Sequence, residues 1–353
     1  MTNPAAFEST EPPPLRAEEP DRQPRRRSER RRWLPVALVA VVVVLVGALG
    51  AGFLYASSVD RSLNQNLQRE RVMPAETPTG EDAEPRPTKP PANSAGGQAM
   101  NYVLIGSDVA SDGVSRSDAL MVLHLAADRR RAYLISFPRD LWVPVPLRGH
   151  NKINAAYAFG GASLTVRTLE GLLDVRMDHV AEVDLDGFIG LTTELGGVRV
   201  YNKHPSVSQG YNFPVGWITV SGDQAQAYVR ERKQLPRGDL DRAERHRAVV
   251  QAILTKGLSG DTVKNPRRFL AFTSGVARHV TVDEELTPEE LRKTALSLRL
   301  SPSDIATIQA PVARFGRSPD GQSIDVVDEA QMKQLAKALR EDTMADYVQA
   351  YPE

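Results

Sequence analysis

The 353-residue chain has no cysteine. Disulfides, thiolate metal sites and a cysteine nucleophile are therefore excluded, although the redox compartment stays open because an extracytoplasmic protein can simply avoid thiols. An excess of charge is also lacking: 44 Lys and Arg balance 44 Asp and Glu, so overall composition gives no argument for nucleic acid. The six histidines are scattered without metal-ligand spacing, and neither a G-x-S-x-G elbow nor a P-loop is present. No internal repeat is visible. What is there is 41% hydrophobic, enough to bury a sizeable core in one large domain or two ordinary ones.

The first hundred residues differ in kind from the rest. Residues 1–32 are rich in Pro, Glu and Arg without an apolar pattern, and read as a disordered basic tail ending in "RQPRRRSERRR". Residues 33–59, "WLPVALVAVVVVLVGALGAGFLYASSV", carry no charge. A helix needs roughly 20 apolar residues to cross a bilayer core, and a cleavable signal segment has a shorter apolar run, so an uncleaved transmembrane anchor is predicted. Seven arginines within residues 22–32 place the N-terminus in the cytoplasm and everything after residue 60 outside it, making a single-pass cell-membrane protein with an extracytoplasmic domain. Residues 60–99 end in a Pro-rich stretch and read as an extended linker holding the next domain off the membrane.

From residue 100 the pattern becomes globular. "NYVLIG" (101–106) reads as a buried strand, and "DALMVLHLAA" (118–127) and "RAYLISF" (131–137) as a hairpin. A helix is expected over 163–174, a strand over 179–185, and a helix over 186–195 that starts on an Asp cap and stops before Gly196-Gly197. Residues 198–201 suggest a short strand and 242–258 an amphipathic helix with Val249, Ile253 and Leu254 on its apolar side. Helices near 265–278, 287–297 and 328–341 and a strand near 304–309 complete an α/β or α+β domain with a mixed sheet.

Three groups of charged residues stand at the ends of apolar elements. In "GSDVASDGVSRSDALMVL", Asp108 follows one strand, Asp118 begins the next and Arg116 lies two residues before it. Two carboxylates at adjacent strand ends could serve Mg²⁺, which keeps water and substrate phosphate as its other ligands; ordinary turn chemistry would use the same residues. In "ISFPRDLWV", Arg139 and Asp140 directly follow a buried strand, as functional loop residues do and as a surface ion pair would. The third group, "YVRERKQLPRGDLDRAERHR" (228–247), holds seven basic and four acidic residues. Arg230 and Arg232 face one way on extended chain, "LPRG" breaks the element, Asp239 can cap the next helix, and Arg242 and His246 share a face of it with Arg245 adjacent. Converging guanidiniums suit phosphate oxygens, and a solvated charged face is the alternative. A DNA-reading helix is disfavoured by the topology and by the absence of Asn or Gln on this helix face.

Taken together, "LIGSD", "RSDALMVLHL", "LISFPRDLWV", "KINAAYAFGG", "VDLDGFIGLTTELGGVRV" and "AYVRERKQLPRGDLDRAERHRAVVQAIL", in that order over residues 100–345, resemble the LytR–CpsA–Psr family of membrane-anchored cell-wall enzymes. The resemblance implies an α-β-α sandwich with a mixed central sheet and an apolar lipid pocket. It also implies a phosphotransferase that moves a glycopolymer from a polyprenyl-pyrophosphate carrier to a peptidoglycan hydroxyl and releases polyprenyl phosphate. On matching positions it assigns Asp108 and Asp118 to Mg²⁺, or Mn²⁺ in its place. It assigns Arg116, Arg139, Arg230, Arg232, Arg242 and Arg245 to the pyrophosphate, and Asp239 to a base or arginine-orienting role, with Asp118 the other candidate base. His246 stands where the family usually has Gln, and a histidine titrates near neutrality. The apolar stretches of 163–195 are candidates for the lipid pocket, but nothing in their sequence separates them from ordinary core, which is the more common use of such stretches. A lipid-pyrophosphate pyrophosphatase and a non-catalytic envelope regulator are the competing readings.

Overall fold

A computed structural model of the chain describes residues 61–76, 85–90, 92, 97–109 and 115–352, with backbone alone for residues 109, 115 and 116. The basic tail and the predicted anchor lie outside the described residues. Among those residues no helix is long and apolar enough to cross a membrane.

Strands β1 (Gln68–Glu70), β2 (Met100–Val109), β3 (Ser115–Leu125) and β4 (Ala132–Ser136) are followed by a smaller pair, β5 (Leu141–Val145) and β6 (Gly149–Lys152). Helix α1 (Ile153–Leu173), β7 (His179–Val183), α2 (Leu185–Glu194) and the short strands β8 (Val198–Asn202), β9 (Ser206–Ser208), β10 (Tyr211–Phe213) and β11 (Gly216–Val220) come next. Helices α3 (Gly222–Arg230), α4 (Asp239–Leu258), α5 (Gly260–Val263) and α6 (Pro266–His279) precede β12 (Thr281–Asp283) and α7 (Pro288–Ser297). The chain ends with β13 (Ile305–Gln309), β14 (Val312–Arg317), β15 (Ser323–Val327), α8 (Glu329–Glu341) and α9 (Met344–Ala350).

The central sheet has seven strands in the order β1-β12-β7-β2-β3-β4-β13. It is mixed, as expected: β2 pairs antiparallel with β3 and parallel with β7. Strand alternation sorts the side chains. Val103, Ile105, Leu120, Val122, Tyr133 and Ile135 point to one face and are buried against Val166, Leu169 and Leu173 of α1 and Leu335 and Leu339 of α8. The intervening residues face the layer formed by α2, α3, α4 and α6. The result is the expected α-β-α sandwich.

Some boundaries differ from expectation. Helix α1 begins ten residues early and kinks at Gly160 and Gly161, where a helical sequence pattern breaks. Asp184, not Asp186, caps α2, its carboxylate accepting from the Gly187 amide at 2.7 Å. Asp239 is the first residue of α4 rather than its cap; Gly238 precedes it at φ +56°, a conformation that glycine adopts without penalty. The described parts of the predicted linker do not stand clear of the domain. β1 pairs with β12 at the sheet edge, and the buried Arg86 guanidinium pairs with Glu170 at 2.8 Å and donates to the Met177 carbonyl at 2.8 Å. Residues 163–195 divide: α1 is core, whereas Leu185, Phe188 and Leu191 of α2 line a cavity.

Candidate active site

Beneath α2, α4 and α6 the sheet is not covered tightly. A cavity of about 260 Å³ lies there, near the lower end of the range for small-molecule sites. Its floor is Leu104 and Gly106 of β2, Ala119 and Met121 of β3, and Ala181 and Val183 of β7. Phe188, Val250, Ile253, Val276 and Val280 form much of the roof. Its side is closed by a close approach of α6 to α2. A Cβ on Gly187 would stand 2.7 Å from the His279 carbonyl oxygen, and one on Gly190 would stand 2.4 Å from the His279 ring. Asp108, Asp118, Arg230, Arg242 and His246 also line it, so one end of an apolar hole is charged.

That end is built by strand and helix termini. The β2–β3 ladder shifts register after Gly106, and Asp108 and Asp118 emerge there. Arg139 enters from the turn after β4, and Asp239, Arg242 and His246 from the first two turns of α4. Arg139 Nη1 donates to Asp118 Oδ1 at 2.9 Å, and its Nε lies 3.2 Å from Asp239 Oδ1. Arg242 Nη2 lies 2.8 Å from the same oxygen and 3.8 Å from Asp118 Oδ1. Arg230 pairs with Asp108. Beside this group Asp140 pairs with Lys152 at 2.9 Å, and the backbone amide of Asp325, on β15, donates to the Asp140 carbonyl at 2.9 Å.

The cluster is held by charge more than by hydrogen bonds. Arg139 Nε, Arg242 Nη2 and Asp239 Oδ1 are buried, close together and without an aligned hydrogen bond. Buried polar groups are ordinarily satisfied, so the unused N–H groups of the two guanidiniums are what an anionic ligand would meet. The carboxylates are tuned apart. Burial raises Asp118, but Arg242 and Arg139 outweigh it and hold the group below the usual carboxylate range. Burial raises Asp239, and here the arginines do not overcome it. Burial, then Asp140 and Asp239, push Asp325 up to about 6. His246 does not titrate near neutrality as its residue type suggests: burial and the adjacent Arg242 push it down to about 4, so it is neutral. Its Nδ1 has no hydrogen-bond partner.

Of the residues singled out from sequence, Asp108, Asp118, Arg139, Arg230, Asp239, Arg242 and His246 are therefore brought together. Arg232 is exposed, close enough to Arg242 to repel its charge. The side chain of Arg116 lies outside the described residues; its backbone pairs with Asp108. Arg245 is not in the group. It is buried on another face of α4, where it donates to the Tyr228 carbonyl (3.1 Å), Asn202 Oδ1 (3.1 Å), the His204 carbonyl (3.0 Å) and Ser206 Oγ (2.9 Å) and stacks 4.3 Å above the Tyr228 ring. Sequence reasoning missed Lys152 and Asp325 at the site, and Glu182, which accepts from Ser107 Oγ at 3.0 Å near the mouth. Lys152 had a signal, its place at the head of "KINAAYAFGG"; Asp325, in the short strand "SIDVV", had none.

An apolar cavity ending in arginines and carboxylates has the chemistry to suit an amphiphile with an anionic head. Comparison with known proteins places the chain in a family. The LytR_cpsA_psr family model matches residues 66–341, and the chain belongs to this family. The chain is 31% identical over 259 residues to the polyisoprenyl-teichoic acid–peptidoglycan teichoic acid transferase TagU of Enterococcus faecalis, covering 72% of this chain and 83% of that protein. It is 35% identical over 225 residues to the transferase of the same name from Halalkalibacterium halodurans, covering 62% and 71%. Among solved structures it resembles TagV of Bacillus subtilis, with a TM-score of 0.60 at 25% identity over 70% of this chain and 97% of that one. It also resembles TagT bound to LI-WTA, with a TM-score of 0.57 at 25% identity over 79% and 100%.

Proposed function

We propose that the protein is a phosphotransferase that moves a glycopolymer from a polyprenyl-pyrophosphate carrier to a hydroxyl of peptidoglycan, with polyprenyl phosphate as the leaving group. The observation that carries this reading is the continuity of the apolar cavity with the Arg139–Asp239–Arg242 cluster. The tail segment next to the pyrophosphate would occupy the cavity, and the pyrophosphate would lie among Arg139, Arg230, Arg232 and Arg242. The similarity to transferases named for teichoic acid and peptidoglycan supports the donor and acceptor classes.

The chemistry asks little of the protein covalently. The acceptor oxygen bonds to the phosphorus that carries the sugar, the P–O bond to the bridging oxygen breaks, and the acceptor proton is removed. Such transfers depend on positioning and charge neutralisation. Arg139 and Arg242 supply fixed positive charge where the leaving phosphate develops its own. Asp239 lies between them with its proton affinity raised, the tuning expected of a general base working near neutral pH. Neutral His246 offers a hydrogen bond to a phosphate oxygen, as a glutamine amide would.

Asp108 and Asp118 are hard oxygen donors at the mouth and fit Mg²⁺ or Mn²⁺. Among the described residues no trio of His, Asp or Glu is arranged to hold a metal unaided, so such an ion would need phosphate oxygens to complete its shell. When bound it would neutralise pyrophosphate charge, and Arg230 and Arg139, now paired with these carboxylates, would be released to the substrate. The membrane anchor and extracytoplasmic position belong to the same reading.

Incubating the full chain with polyprenyl-pyrophosphate-linked polymer, with and without peptidoglycan, tests it. Polymer attachment that needs acceptor and is lost in Arg139→Ala is expected. Release of polymer phosphate to water at the same rate in both arms would instead make the protein a pyrophosphatase.

A further inference from the structure

Helix α4 has a second working face. Arg242, His246, Val249, Val250 and Ile253 turn toward the cavity, and at 3.6 residues per turn Glu244, Ala248, Gln251, Ala252 and Thr255 lie on the opposite side. There α4 meets the β8–β11 ribbon, and two open clefts of about 310 and 660 Å³ adjoin, sharing Arg199, Ala252 and Thr255. The small side chains of Ala248 and Ala252 keep the floor low.

One end of this trough is rimmed by aromatic rings. Trp217 is 62% exposed and Tyr201 50% exposed. They are directly opposed on the antiparallel ribbon, with rings 5.6 Å apart edge to face. The Arg199 guanidinium lies 4.8 Å over the Trp217 ring. Large aromatics presented in this way are a feature of binding surfaces rather than of ordinary solvated strands.

Charge complements the rings. The acids of the trough are already neutralised: Glu244 pairs with Lys203 and with Arg237 at 2.8 Å, Glu194 with Arg278, and Asp261 with Arg268 at 3.7 Å. Among the described residues no carboxylate pairs with Arg199 or Lys256; Lys256 Nζ donates to the Leu195 carbonyl and, at 2.9 Å, to the Gly197 carbonyl, which leaves its charge uncancelled and one of its three N–H groups for a ligand. The trough is thus positive, elongated and aromatic at one end, with Gln251, Thr255, Thr219 and Thr307 as polar walls.

We propose that this trough binds an anionic glycan strand, its sugar faces stacked on Trp217 and Tyr201 and its phosphate or carboxylate groups on Arg199 and Lys256. Sugars present an apolar face and a hydroxyl edge, which suits aromatic rings beside polar walls. An acyl chain would leave those polar walls unsatisfied, which disfavours a lipid surface as the occupant. The ligand class rests on the glycopolymer reading of the active site, but the trough is a separate surface and its occupancy requires no turnover. It would hold polymer or wall on one flank of α4 while chemistry proceeds on the other.

The test is binding of the full chain in detergent micelles to four probes: peptidoglycan bearing anionic polymer, the same peptidoglycan stripped of polymer by acid, phosphorylated dextran, and neutral dextran. Trp217→Ala and Arg199→Ala should each weaken binding to phosphorylated dextran at least tenfold, and Arg242→Ala should leave it unchanged. Loss of binding on stripping identifies the polymer as the natural ligand, and retention identifies the peptidoglycan strand. Tyr201→Ala provides a second aromatic variant, and circular dichroism checks the fold of each. Wild-type binding in both Trp217→Ala and Arg199→Ala overturns the proposal. So does loss of binding in Arg242→Ala, which would place the glycan at the catalytic mouth, or a Trp217 dependence seen only with anionic phospholipid vesicles.

Discussion

On one face of the central sheet Val103, Ile105, Leu120 and Val122 are buried against α1 and α8; on the other, Leu104, Gly106, Ala119 and Met121 face α2, α4 and α6 across a cavity. Both faces come from the same strands, residue by alternate residue, and both are apolar. What separates them is how their helices are held. α1 lays Val166, Leu169 and Leu173 directly on the sheet. The opposite layer leaves a volume under Phe188, Val250 and Ile253 that ends in charge. The same contrast recurs within α4. Arg242 and Arg245 are three residues apart and both buried, yet Arg242 turns to the cavity mouth and Arg245 is consumed by three carbonyl oxygens, one hydroxyl and an aromatic ring.

Removing each arginine in turn separates the two roles. Arg242→Ala should lower turnover by about 10²–10³, the loss typical of a removed charge stabiliser. Arg245→Ala should leave turnover per folded molecule within a few-fold and instead destabilise the domain by on the order of 2–4 kcal/mol, because buried acceptors lose their donor. Steady-state kinetics and thermal melts on both variants check this. Equal kinetic losses would place Arg245 at the substrate after all.

The two sheet faces can be separated in the same way. Leu169→Ala in the filled face should cost about 2–5 kcal/mol. Ile253→Ala in the cavity roof is expected to cost less, and Ile253→Trp should weaken binding of long-chain polyprenyl phosphates with little change in melting temperature. Denaturant titrations and lipid-binding isotherms distinguish these outcomes.

A smaller effect concerns Asp325, whose buried Oδ2 has no hydrogen-bond partner and whose pKa is raised to about 6. The unfolded carboxyl titrates near 3.9, so below that pH both states are protonated and there is no penalty. As pH rises through about 6 the folded state must ionise a buried acid, and stability falls by on the order of 1–3 kcal/mol. Asp325→Asn should therefore raise the melting temperature at pH 8 and leave it nearly unchanged at pH 3.5. The smallest effect is expected at His246. Because this ring is already neutral above about pH 4, His246→Gln should keep activity within about threefold and leave the pH–rate profile between 5 and 8 unchanged.

The sheet and most helices were legible because strand alternation and helical periodicity are local signals. "NYVLIG", the 118–137 hairpin and the helices near 265–278 and 287–297 all appear close to where the pattern puts them. The first half of α1 was hidden by Gly160 and Gly161. Strands β14 and β15 and helix α9 were missed, being too short or too polar for periodicity to act. At the site, Asp118, Arg139, Asp239 and Arg242 were legible as charged residues at element ends. The position of Arg245 was not, because one helical step decides whether a guanidinium meets a cavity or a closed nest. Nor could sequence distinguish α1 as core from α2 as cavity lining, since both are apolar stretches whose filling depends on distant partners.

In the proposed mechanism the cavity takes the lipid tail while the arginine cluster at its mouth takes the phosphates. Calorimetric affinities of the full chain for polyprenyl phosphates of increasing length, measured with Mg²⁺, test it most directly. Affinity should climb with each added isoprene unit until the cavity is filled and then level off, with the climb abolished in Ile253→Trp and the whole series weakened in Arg242→Ala. An affinity independent of chain length, or one that Ile253→Trp leaves intact, would contradict it.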